Sequence, residues 1–166
     1  MNVIKMLYVV LAIVLLMFSG CNRNHVNPDK VSKEQFEQVL DYLSNDDTKG
    51  LKEMFCEKIK SSDKINLDKQ LDEAMDFFDG KVVSYDDFTE PNIEKTEGGG
   101  QKEVSIMPSA IVKTDTGKSY KVRFNAYIVY NEDKEKVGIS DIHITTNDEK
   151  GLTVGDYYIV NPETSE

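Results

Sequence analysis

Two residues in "ISDIHI" have the types and spacing for proton transfer. Asp141 and His143 lie two apart, so on a strand both project from one face. A carboxylate beside an imidazole is the minimal general acid–base unit. The phase of the segment is ambiguous. Val137 and Ile139 share parity with the pair, whereas Ile142 and Ile144 do not. Either a bulge near Ser140 flips the phase and turns the pair outward to water, or both faces are partly covered and the pair lines an interior pocket. The expectation is a solvated outer face, with catalysis as the alternative.

Other constellations point to chemistry less well. The histidines are His25 and His143 alone, and no Cys/His spacing suits zinc. "NDDTKG" approaches a calcium loop, but Lys49 occupies a ligand position and Cys56 stands where a bidentate Glu belongs. Gly98-Gly99-Gly100 lacks the Lys-Ser/Thr of a phosphate-binding loop. It reads as a flexible hairpin loop. The pair Asp86-Asp87 would point to opposite faces of a strand and cannot act on one atom. No nucleophile in a sharp turn accompanies His143, so a Ser-His-Asp arrangement is not expected. No catalytic, cofactor-binding or metal-ligating residue is therefore assigned.

Cys21 carries the clearest chemical signal. Lys5 and the amino terminus precede an uninterrupted apolar run, Met6 to Phe18, which ends at Ser19-Gly20-Cys21. The run suits a signal-peptide core and is short for a membrane span of roughly 20 residues. "FSGC" resembles the lipobox of bacterial lipoproteins, with Phe18 where Leu is commoner. In such proteins the thiol takes a diacylglycerol and the chain is cut just before the cysteine. The expected anchor is therefore Cys21, each buried methylene contributing about 0.8 kcal/mol.

Removal of residues 1–20 leaves 146 residues, with 30 acidic and 19 basic side chains and a formal charge of −11. That length suits one domain. The acidity excludes a nucleic-acid surface, whose phosphates demand a basic patch. It also excludes electrostatic adhesion to anionic lipid, so membrane contact must come from the anchor. With Cys21 acylated, Cys56 in "EMFCEKI" has no disulfide partner and reads as a half-buried thiol.

The elements that position these residues follow from periodicity. Residues 21–30 form a polar tether and 31–160 a single domain, with a tail at 161–166. Ser32 and Gln35 suggest a capping box, followed by Phe36, Val39, Leu40 and Leu43 on one helical stripe. A second helix begins after Asp47 or Thr48 and buries Leu51, Met54, Phe55 and Ile59. A third spans Asn66 to Asp79, stopped by Gly80. Beyond Gly80 the period becomes two. "KVVSYDDF" is a strand and "TEPNIEKTEGGGQK" a long loop. Val104 to Lys113 is a second strand, which Pro108 confines to an edge or a bulge. Tyr120 to Tyr130 is a third, with Lys121, Arg123, Asn125, Tyr127 and Val129 on its outer side. Val137 to Thr145 is a fourth, and "DYYIV" a short fifth. Phe36, Leu40, Leu51, Phe55, Leu71 and Phe78 should pack on Val122, Phe124 and Ile128. The fold class is α+β, with three N-terminal helices on one face of a curved four- to five-stranded antiparallel sheet.

"NDDTKGLKEMFCEKIK", "LDKQLDEAMDFFDGKVVSYDD", "VKTDTGKSYKVRF", "KVGISDI" and "TVGDYY" resemble a family of small bacterial lipoproteins known only as a domain of unknown function. The resemblance implies a nuclear-transport-factor-2-like (cystatin-like) cone and brings no catalytic residue with it. The expected role is a lipid-anchored binding or interaction module on the extracytoplasmic face of the cell membrane. It would contact the membrane through Cys21 and meet a second copy or a protein partner near Tyr127. The alternative is a small hydrolase, isomerase or dehydratase using Asp141 and His143 in the cone pocket.

Overall fold

The computed structural model describes residues 25–162, so the apolar run, Cys21 and most of the tail lie outside the described residues. The first helix, α1, spans Pro28–Ser44. It begins before Ser32, because the Asn27 side chain accepts from Lys30 N–H at 3.2 Å and Pro28 opens the first turn. The expected capping box therefore does not form. Ser32 sits inside the helix, fully buried, and its hydroxyl has no hydrogen-bond partner.

The second expected helix is broken in two, which gives four N-terminal helices among the described residues instead of three. α2 is Thr48–Glu53 and α3 Glu57–Lys60. Between them the chain leaves the helix after Met54, and Phe55 bridges to Ile139 of the sheet. Cys56 N–H donates to Ile139 O at 3.0 Å, and Ile139 N–H donates to Met54 O at 2.9 Å. Helical spacing cannot reveal this break, because Phe55 and Ile59 are buried on either side of it. α4, Leu67–Phe77, is capped by Asn66 and followed by Gly80 at φ +94°.

The strands are β1 (Val82–Thr89), β2 (Asn92–Glu97), β3 (Gly100–Ile106), β4 (Ser109–Thr114), β5 (Ser119–Tyr130), β6 (Gly138–Thr146) and β7 (Gly151–Gly155). They form one seven-stranded antiparallel sheet. β3 and β4 pair with successive parts of one edge of β5, from Glu103↔Tyr130 to Lys113↔Ser119. They are one long strand interrupted at Met107-Pro108. β1 and β2 flank it in the same way, and β6 and β7 extend the other side. The stretch expected as a loop is β2 with a tight turn at Gly98-Gly99, both at positive φ. Every side chain of β2 is exposed, so no alternation announced it; backbone pairing alone makes it a strand.

"DYYIV" is not a strand. After Gly155, at φ +81°, Asp156 accepts from Tyr158 N–H at 2.9 Å and starts a short helix, α5 (Tyr157–Val160). The strand that follows β6 is the five-residue β7 instead.

Helices cover one face of the sheet. Phe36 of α1 lies over Phe124 of β5 with centroids 6.3 Å apart, and Phe78 stacks on Tyr120 at 4.7 Å. Tyr120 donates its hydroxyl to Phe77 O and accepts from Asp79 N–H, which ties the end of α4 to the sheet. The expected core residues Phe36, Leu40, Leu51, Phe55, Leu71, Phe78, Val122 and Phe124 are all buried. Ile128 is only partly so, because it is the extra residue of a bulge: Ser105 pairs with Tyr127 and Val104 with Val129. That bulge also places Val129 opposite buried Val104 rather than beside Tyr127. No described helix is long and apolar enough to cross a membrane.

Candidate functional site

The two phases of β6 are reconciled by a bulge. Asn125 pairs with Asp141 but Ala126 pairs with Ile139, so Ser140 is the extra residue. Ile139 before the bulge, and Ile142 and Ile144 after it, all face the helices. Asp141 and His143 therefore share the opposite face, as the bulge alternative required. The solvated environment expected for Asp141 is not found. It is 1% exposed.

Burial of that carboxylate is compensated by three donors. Asn125 Nδ2 donates to Oδ2 at 2.8 Å, and Ser140 Oγ donates to Oδ1 at 2.7 Å. His143 Nε2 lies 2.8 Å from Oδ2. Isolated buried carboxylates are costly, whereas charge-assisted hydrogen bonds offset much of the desolvation. Ser140 Oγ also reaches Asn125 O at 3.1 Å, so the bulge residue locks both strands.

The other imidazole nitrogen is also occupied. Thr153 Oγ1 lies 2.9 Å from His143 Nδ1. These contacts follow from register: Arg123, His143 and Thr153 form one cross-strand row, and Asn125, Asp141 and Gly155 the next. With Nε2–H donating to Asp141, neutral His143 accepts the Thr153 hydroxyl at Nδ1; an imidazolium donates at both nitrogens. Gly155 completes the frame. Its N–H donates to Gln70 Oε1 of α4 at 3.0 Å, and Asp156 N–H donates to Ser140 O at 3.0 Å.

These groups floor a cleft of about 490 Å³ on the bare face of the sheet, bordered by Arg123, Asp156, Tyr157 and Tyr158. Arg123 is exposed and forms no ion pair among the described residues. On the far side of Tyr157 lies a second cleft of about 500 Å³, which includes Tyr127 and Tyr130. Tyr127 is half-buried there beneath the C-terminal segment, and its hydroxyl donates to Asn161 Oδ1 at 2.9 Å. Desolvation, aided by neighbouring Tyr157 and Glu103, pushes its phenol up to about 12.

The structure thus unites Asp141 and His143 and adds Asn125, Ser140 and Thr153, which sequence reasoning missed. Asn125 comes from the β5–β6 register and Thr153 from the β6–β7 register, which periodicity does not record, and Ser140 is the bulge residue itself. His25 is remote from this site and faces Glu94 at 3.5 Å. Cys56 is buried and burial pushes its thiol up. Asp47 caps α2 by accepting from Gly50 N–H at 2.7 Å. Among the described residues no group of three or more His, Cys, Asp or Glu side chains is placed to hold a metal ion. Cys21 lies outside the described residues.

A family model described as "Domain of unknown function (DUF5104)" matches residues 38–147. The match covers most of the chain, and the chain belongs to that family. It spans Arg123, Asn125, Asp141 and His143 but stops before Thr153. No curated protein matches the sequence.

Proposed function

We propose that this member of the DUF5104 family is a lipid-anchored, extracytoplasmic binding module of cone-like fold. The bare face of its sheet would meet a ligand or partner. Helices gathered on one face of a bent antiparallel sheet support the cone. The charge-free run ending at Ser19-Gly20-Cys21 supports the anchor. The observation that carries the binding reading is the double engagement of His143. A general base that acts on a ligand directly needs a lone pair aimed at it, and here Nε2 is spent on Asp141 and Nδ1 on Thr153. The groups left to meet a ligand are the Arg123 guanidinium and the phenols of Tyr157 and Tyr158, beside the Asp156 carboxylate that caps α5. That set suits an anionic group presented beside an apolar surface. Because Tyr127 is held under the C-terminal segment, the contact surface for a partner or a second copy centres on Arg123 and Tyr158. Metabolic labelling with a fatty-acid analogue tests the anchor: the wild type takes label and Cys21→Ser does not. Equal labelling refutes it.

A second reading rests on the same line of atoms. Thr153 Oγ1, His143 and Asp141 have the order of a nucleophile, base and orienting acid. Thr153 lies on the edge strand β7, which pairs with β6 alone, and not in a sharp turn of the kind that exposes a nucleophile beside converging N–H groups. Loss of ester hydrolysis in Thr153→Val, with the fold intact, would favour the enzyme. Equal rates in both proteins would dismiss it.

A further inference from the structure

The chain enters the domain at one end of the sheet and is pinned there. Val26 N–H donates to Gln101 Oε1 at 2.8 Å, and Gln101 Nε2 donates back to Val26 O at 2.8 Å. One side-chain amide thus clasps Val26 by both its backbone N–H and its backbone carbonyl. His25 faces Glu94 of β2, and Asn92 Nδ2 donates to Asp29 Oδ1 at 2.9 Å. The start of α1 is therefore fastened to the β2–β3 hairpin. The other end of α1 lies at the opposite end of the sheet, where Ser44 Oγ accepts from Val82 N–H at 3.1 Å and Asn45 Oδ1 from Lys81 Nζ at 3.0 Å. The 17 residues of α1 separate the two ends by about 25 Å.

We propose that the β2–β3 hairpin end of the domain lies against the membrane, with the turns Asp115–Gly117 and Asn147–Lys150 pointing away. This rests on acylation of Cys21. Only residues 22–24 separate Cys21 from His25. Four peptide steps reach at most about 14 Å, about half the length of α1. A lipid at Cys21 therefore cannot leave the hairpin end far from the headgroups.

The chemistry of that end is compatible with a lipid surface. The chain is acidic, with a formal charge of −10, and unpaired carboxylates would be repelled by anionic headgroups. On the hairpin two of the three acids, Glu97 and Glu103, pair with lysines, and Glu94 faces His25. Lys95 meets Glu103 at 3.0 Å, and Lys102 meets Glu97 at 3.5 Å and Glu132 at 2.8 Å. The orientation has a consequence for the cleft. Tyr130 is level with Glu103 of the hairpin, and Arg123 lies seven residues earlier on β5. At about 3.3 Å per residue that is about 23 Å along the strand. The Arg123–His143–Thr153 row thus stands clear of the bilayer, open to a soluble ligand or partner.

The chain contains no tryptophan, so an introduced one is a sole reporter. Thr96→Trp on β2 and Lys150→Trp at the β6–β7 turn both alter exposed positions. Each acylated protein is reconstituted on phosphatidylcholine vesicles containing brominated lipid, with circular dichroism confirming the fold. The Thr96→Trp emission should be quenched several-fold more than that of Lys150→Trp. Equal or reversed quenching in vesicle-bound protein overturns the orientation and leaves the anchor standing. Failure of the acylated protein to float with vesicles overturns the anchor, and the orientation with it. Twelve Gly/Ser residues inserted between Asn24 and His25 should abolish the contrast. A contrast that persists overturns the short tether as its cause.

Discussion

Asp141→Ala is the sharpest test of the buried carboxylate. The side chain is 1% exposed and accepts from Asn125 Nδ2, Ser140 Oγ and His143 Nε2. Truncation does not orphan all three. Ser140 Oγ retains Asn125 O at 3.1 Å. Asn125 Nδ2 and the His143 ring lose their acceptor and open onto the cleft, where water can satisfy them only in part. Hydrogen bonds to a charged acceptor contribute about 1.5–3 kcal/mol each, and removal of one partner strands the other. Relief from burying a charge offsets part of this. The net expectation is a loss of about 2–4 kcal/mol. With a urea slope of about 2 kcal/mol per molar, the midpoint should fall by about 1–2 M. Unfolding of residues 22–166 followed by circular dichroism measures it. The double variant with His143→Ala should cost less than the sum of the two single changes by about 1 kcal/mol. A loss below about 1 kcal/mol, or strict additivity, would refute the view that the three donors hold this carboxylate as a structural clasp.

Two further outcomes follow from the same frame. Gly155→Ala should destabilise by about 3 kcal/mol, because φ is +81° and a Cβ there would collide with Ser140 O and approach Phe55 Cε1 at 2.8 Å; a midpoint unchanged in urea would contradict that packing. Tyr127, pushed up to about 12 by desolvation, keeps its proton in the folded state where the unfolded phenol, near 10, loses it. Its contribution is therefore whole below about pH 10 and lost between about pH 10 and 12. Tyr127→Phe should flatten that loss in urea unfolding at pH 9 and 11.5, and an undiminished slope would place the alkaline sensitivity elsewhere.

Some of this protein is legible in its residues taken in order. Phe36, Leu40, Leu51, Phe55, Leu71 and Phe78 declare themselves by helical spacing, and Tyr120, Val122 and Phe124 by alternation, because burial of one face imposes a period that local sequence must obey. All of these are buried. Gly80 announces the stop after α4 for a local reason too, since its φ of +94° suits glycine. The tertiary structure decided what depends on a partner distant in sequence. β2 is a strand because β3 pairs with it, although none of its side chains is buried. The helix through Phe55 breaks because Met54 and Cys56 find better hydrogen bonds on Ile139. The sequence showed that Asp141 and His143 share a face, and that a bulge near Ser140 would turn that face away from the helices. Only the meeting of β5, β6 and β7 supplied Asn125 and Thr153, and with them turned a pair expected in water into a fully engaged clasp around a buried carboxylate. Side-chain periodicity records which face is apolar; it carries no record of which strand lies alongside, and cross-strand neighbours are what set the chemistry of this site.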